Sequence, residues 1–205
     1  GLRRIVLDQA ELSDEALQKL VAQCPELEAL SLRYCTGLHA PPHSPTLMFL
    51  ELSGSSLNDA GLAEVAEACP MLRSLLARDC EQLRCSRLGG EHLRFVCFST
   101  CKALQSLEVH ATRLLILDLG NCPRLEALET SGCAGLREVN LYLSMDGMAL
   151  DVSPDRVVGG TAIEFAARGA ERETLRIELE QRGVVVSRRA SLYLANRPAM
   201  HSETQ

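Results

Sequence analysis

The sequence predicts an α/β fold: a solenoid with a parallel strand sheet on its concave side, short helices or turns on its convex side, and a C-terminal α/β cap. Three observations carry that reading. The pattern L-x-x-L-x-L, with Ile, Val, Ala or Phe admitted for leucine, begins at residues 2, 27, 47, 72, 93, 114 and 136, so the starts lie 25, 20, 25, 21, 21 and 22 residues apart. Two of the longer spacers carry helical periodicity. The composition, 46% hydrophobic but 3% aromatic and without tryptophan, suits an interior filled by leucine.

The strands come first. Matches are strict in "LEALSL", "LMFLEL" and "LLILDL" and looser in "LRRIVL", "LRSLLA", "LRFVCF" and "LREVNL". In an extended segment alternate side chains share a face, so the fourth and sixth positions point to one side and the third, fifth and seventh to the other. One repeat cannot bury its leucines alone, whereas neighbours stacked about 4.8 Å apart enclose a continuous core.

The return segments are of two kinds. "LSDEALQKLVAQCP" (12–25) and "LNDAGLAEVAEACP" (57–70) each place a helix-capping residue, Ser13 or Asn58, before apolar residues spaced by three and four: Leu17, Leu20, Val21 and Cys24, then Leu62, Val65, Ala66 and Cys69. Pro25 and Pro70 end these helices. Repeats of 20 to 22 residues leave no room for three helical turns, and "LQSLEV" (104–109) and "LEALET" (125–130) read as short extended pieces. The expected domains are a solenoid of about seven repeats over 1–144, a capping segment over 145–194 containing a helical stretch (161–183) and the strand-like "VVVSRRASLYL", and a loose tail over 195–205. Leu2 already lies in a strand, which leads us to expect an upstream domain or a second protein at that end.

These features resemble the cysteine-containing leucine-rich repeat of the substrate-recognition domains of F-box proteins. The "CPxLxxLxLxxC" unit stands as "CPELEALSLRYC", preceded by an "L-x-D-x-x-L-x-x-[LV]" helix with Asp14 and, in a later repeat, Asp59. The resemblance covers residues 2 to about 144 and implies a protein-recognition role, with membership of a ubiquitin-ligase receptor as one use. No stretch reads as the helical F-box that docks to the ligase adaptor, so a structural subunit of a larger assembly is the alternative use.

The nine cysteines follow from the same alignment. The ninth position of the repeats reads Ala10, Cys35, Ser55, Cys80, Cys101, Cys122 and Ser144. A metal ligand or disulfide partner could not be exchanged for alanine or serine from rung to rung, whereas a small, mostly apolar packing residue could. The rival is a metal- or thiol-dependent role for the cysteines of 80–101, with His92 and His110 nearby; Cys97, facing outward, is then the expected reactive thiol. An odd cysteine count without a CxxC pair points to a reducing compartment, cytoplasmic or nuclear.

Other chemistry is sparse. The chain holds no phosphate-binding loop, nucleophile elbow or HExxH motif, so we expect no catalytic residues, metal or cofactor. A net charge of −6 speaks against a nucleic-acid surface, and no apolar run reaches the roughly 18 residues that span a bilayer. The expected site is the concave strand face. There Phe49, Leu76, Phe95 and Ile116 would form a solvent-facing apolar stripe across four rungs, flanked by Arg33, Glu51, Arg78 and Asp118, with Tyr142 also facing out. An exposed apolar patch with a charged rim marks a protein-binding surface, unless the chain's own loop or C-terminal segment covers it.

Overall fold

A computed structural model describes residues 1–130, 132–141 and 185–187, the last three by backbone pairing. It is an α/β protein with two open sheets, and all pairings among the described strands are parallel. Seven of the strands fall on the repeated pattern: β1 (Arg4–Val6), β2 (Ala29–Ser31), β3 (Phe49–Glu51), β4 (Ser74–Leu76), β6 (Phe95–Cys97), β8 (Ile116–Asp118) and β10 (Glu138–Asn140). They lie side by side in that order, and β11 (Val185–Ser187) joins the far edge beside β10. A second sheet runs β5 (Cys85–Gly89), β7 (Ser106–His110), β9 (Ala127–Glu129).

The registers align equivalent positions of the pattern. Leu30, Leu50, Leu75, Val96, Leu117 and Val139 form one row at the fourth position, every member fully buried. From the second rung on, the first and sixth positions fill the core beside them, and Phe98 among them is the largest fully buried side chain of the described residues. Burying each leucine of this set contributes about 1.5–3 kcal/mol relative to leaving it in water.

Each strand ends in the same turn. The eighth position has positive φ in six successive rungs, at Gln9, Tyr34, Gly54, Asp79, Thr100 and Asn121. Its N–H donates to the seventh carbonyl of the next rung, from Gln9 to Arg33 through Thr100 to Gly120, at 2.7 to 3.1 Å. The sixth N–H likewise reaches the fifth carbonyl of the next rung, Leu7 to Ser31 through Leu119 to Asn140, at 2.7 to 2.9 Å. Five of the six residues carry a side chain, so this left-handed turn is held by the bonds to the neighbouring rung rather than by glycine.

The two helices form where the caps predict. α1 (Asp14–Ala22) starts on Ser13, whose Oγ accepts the Ala16 N–H at 3.2 Å, and α2 (Asp59–Ala68) starts on Asn58, whose Oδ1 accepts the Gly61 N–H at 2.9 Å. Leu17 and Val21, and Leu62 and Val65, face the core. Gly61 is required by packing, since a Cβ there would lie 2.0 Å from the His39 carbonyl oxygen. Later repeats replace the helix by a strand, and β7 and β9 occupy the segments expected to be extended. Tyr142, Ser144 and the expected cap and tail lie outside the described residues apart from β11, which extends the main sheet from within the expected cap.

Candidate functional site

The strand face opposite the leucine core carries three rows. The third-position row runs Arg4, Ala29, Phe49, Ser74, Phe95, Ile116, Glu138, and the fifth runs Val6, Ser31, Glu51, Leu76, Cys97, Asp118, Asn140. Asp8, Arg33, Ser53, Arg78, Ser99 and Gly120 follow at the seventh position. Every described candidate of the expected site lies at a third, fifth or seventh position of these rows.

Solvent access differs from the expectation at three positions. Phe49, Phe95 and Ile116 are half-buried, as are Arg33, Glu51 and Arg78, but Leu76, Cys97 and Asp118 are buried. Leu76 and Cys97 nonetheless stand apart from the cluster that forms the leucine core. Strand parity fixes the side on which a residue lies; it does not fix how much neighbouring atoms enclose it. The solvent-facing stripe is thus a row of Phe49, Phe95 and Ile116 interrupted by Ser74, with Leu76 packed beneath solvent reach.

A polar chain runs beside that row in two groups. In the first, Asp8 Oδ1 accepts the Ser31 hydroxyl at 2.7 Å and the Arg33 N–H at 3.0 Å. Arg33 Nη1 lies 3.9 Å from Asp8 Oδ2, and its guanidinium lies 5.7 Å from the centre of the Tyr34 ring. Arg33 Nε lies 3.4 Å from Glu51 Oε1, close enough for an ion pair but not aligned as a hydrogen bond. Arg33 is held from three sides, which lowers the entropy lost if a partner engages it.

In the second group Arg78 Nε donates to Cys97 Sγ at 3.3 Å, and Ser99 Oγ lies 3.3 Å from the same sulfur. The thiol in turn donates to Asp118 Oδ2 at 3.5 Å. Asp118 Oδ1 accepts the Asn140 amide at 2.9 Å and the Gly120 N–H at 3.0 Å. Burial, then the Asp118 charge, raises the Cys97 pKa. A buried thiol that holds its proton is a poor nucleophile, which overturns the expectation that Cys97 is the reactive cysteine. The exposed cysteine is Cys85, at the start of β5; the other eight are buried.

The ninth-position cysteines share one contact. Cys35, Cys80, Cys101 and Cys122 donate their thiols to the sixth-position carbonyls of the preceding rung, Leu7, Leu52, Ala77 and Phe98, at 3.0 to 3.4 Å. Burial pushes the Cys80 thiol to about 11 and Cys122 to about 12. Among the described residues no group of three or more His, Cys, Asp or Glu side chains is placed to hold a metal.

Sequence reasoning missed the work of the helix-opening aspartates. Asp14 Oδ1 accepts the His39 and Ala40 N–H groups at 3.0 and 3.4 Å, and Asp59 accepts those of Arg84 and Cys85 at 2.9 and 3.1 Å and the Ser86 hydroxyl. Each carboxylate fastens its helix to the following return segment. The signal was the shared aspartate of the two helix motifs, but its acceptors' partners lie about 25 residues away.

No protein-family model matches this chain, and no curated protein matches it. The fold and face therefore define it: an α/β protein whose described strands pair in parallel and whose described helices include none long and apolar enough to cross a membrane.

Proposed function

We propose that the chain is a leucine-rich-repeat solenoid of the cysteine-containing type and acts as a non-enzymatic protein-protein interaction module, binding its partner on the concave strand face. The observation that carries this reading is the half-buried row of Phe49, Phe95 and Ile116 beside the clamped Arg33 and Glu51. Aromatic anchors next to a pre-ordered arginine are the composition of an interface centre. Arg78 joins this surface, while Leu76 and Asp118 support it from beneath.

Two uses divide the proposal. The repeat type favours substrate recognition for a ubiquitin ligase. A structural subunit of a larger assembly is favoured by the unpaired edge of the main sheet at β1, where Leu2, just ahead of the strand, is 63% exposed and offers a second contact. Affinity capture with the native chain and with a Phe49→Ala, Phe95→Ala variant of unchanged melting temperature separates them. Proteins lost with the variant while a cullin and its adaptor remain support the receptor use. Stoichiometric partners that persist with both chains remove the strand face as the site and move the contact to β1.

A further inference from the structure

Where the helical repeat gives way to strand repeats, α2 packs against β5, and residues of α2 and of the second sheet line an open groove of about 610 Å³. Small side chains form part of its lining: Cys85, Ser106 and Ala127 occupy one row across β5, β7 and β9, and Ala60 and Ala63 line the α2 wall, where the Asp59 carboxylate is already bonded to β5. Small side chains let a backbone come close, and the volume is that of a ligand larger than a single side chain.

A charged row runs parallel to that small-residue row. Arg87, Glu108 and Glu129 are register neighbours on the three strands. Arg87 grips Glu108 Oε2 through Nε at 2.8 Å and Nη2 at 2.7 Å, and His110 contacts the other oxygen. Glu129 is half-buried on the next strand and forms no ion pair among the described residues. The row is therefore one cation short of its carboxylates, and the pair on its first two strands shows what would complete it.

We propose that this groove binds an extended, arginine-bearing peptide segment of a partner protein, with a guanidinium on Glu129 in the manner of Arg87 on Glu108. Arginine rather than lysine is specified, because the internal pair uses the two-pronged fork that only a guanidinium offers. The peptide backbone lies along the small-residue row. The site is separate from the strand face, so either can fail without the other.

Cys85 supplies the reporter, being the exposed cysteine and part of the lining. The test measures its alkylation by iodoacetamide, a neutral reagent, in the full chain at low salt, with mass spectrometry to confirm the position. The probe is acetyl-Ala-Arg-Ala-Arg-Ala-amide, and its citrulline counterpart is the control. The arginine peptide is expected to slow Cys85 alkylation saturably while the citrulline peptide does not. Glu129→Gln is expected to weaken protection by about tenfold, the worth of one charge-assisted contact. Arg87→Gln frees Glu108 for the peptide and is expected to strengthen protection, an opposite change that loss of folding cannot imitate. The proposal is overturned if neither peptide protects, if both protect equally, or if Glu129→Gln and Arg87→Gln leave protection as in the native chain.

Discussion

The thiol ladder permits a graded test at Cys101, which is fully buried and donates to the Ala77 carbonyl at 3.2 Å. If the ninth position requires a small group that also donates a hydrogen bond, its substitutions should fall in a fixed order. Cys101→Ala removes one buried heavy atom and a weak donor, together costing about 1–2 kcal/mol. Cys101→Ser retains a donor in a slightly smaller side chain and should stay within about 1 kcal/mol of native. Cys101→Val adds a branched carbon to a packed turn and donates nothing, so about 2–3 kcal/mol is expected. Urea unfolding followed by circular dichroism measures the series, with an unchanged m-value as the condition for comparing stabilities. Melting temperatures should fall by about 2–4 °C for each kcal/mol in a chain of this length. A serine variant less stable than the alanine variant would refute the donor argument, and a valine variant as stable as native would refute the steric one.

Two further outcomes follow from described contacts. Gly61→Ala gains helix propensity of about 1 kcal/mol but drives a Cβ to within 2.0 Å of the backbone at His39, which cannot rotate away. Net destabilisation of about 1–3 kcal/mol is expected in the same urea assay, and a stabilised variant would sink the packing argument. Glu108 titrates below its ordinary 4.5 because His110 and Arg87 bond its carboxylate. A depressed folded pKa contributes stability above the unfolded value that is lost as pH falls through the folded one. Glu108→Gln should therefore flatten the acid limb of stability below about pH 4.5 and leave the neutral plateau's slope unchanged; an unaltered acid limb would show that the exposed pair contributes nothing.

How much of this was legible in the sequence depends on the distance over which each feature is determined. The strands of the main sheet were, because Leu30, Leu50 and their equivalents combine a period of two with a longer repeat. The helices were, because Ser13 and Asn58 cap within three residues of themselves. Enclosure was not. Cys97, Leu76 and Asp118 alternate as expected, yet their burial depends on side chains of other rungs, including Arg78 and Asn140. The charged row of the groove was equally hidden, since Arg87, Glu108 and Glu129 become neighbours only once the return strands of three repeats are in register.

The turn at the eighth position bears on how such a chain can change its length. From Gln9 to Thr100 its N–H reaches the adjoining rung, as does the sixth-position N–H from Leu7 to Leu119, and β4, β6 and β8 present the same positions to one another. Excision of 93–113, one whole repeat, would set Leu75 against Leu117 and Leu76 against Asp118 in the register of the main sheet. Loss of one residue between the first and ninth positions would instead turn core leucines to the other face. Growth and shrinkage are thus quantised: the strand-and-turn block is conserved as a unit of currency in any rearrangement, and the spacing of 20 to 25 residues between starts is absorbed wholly in the return segments.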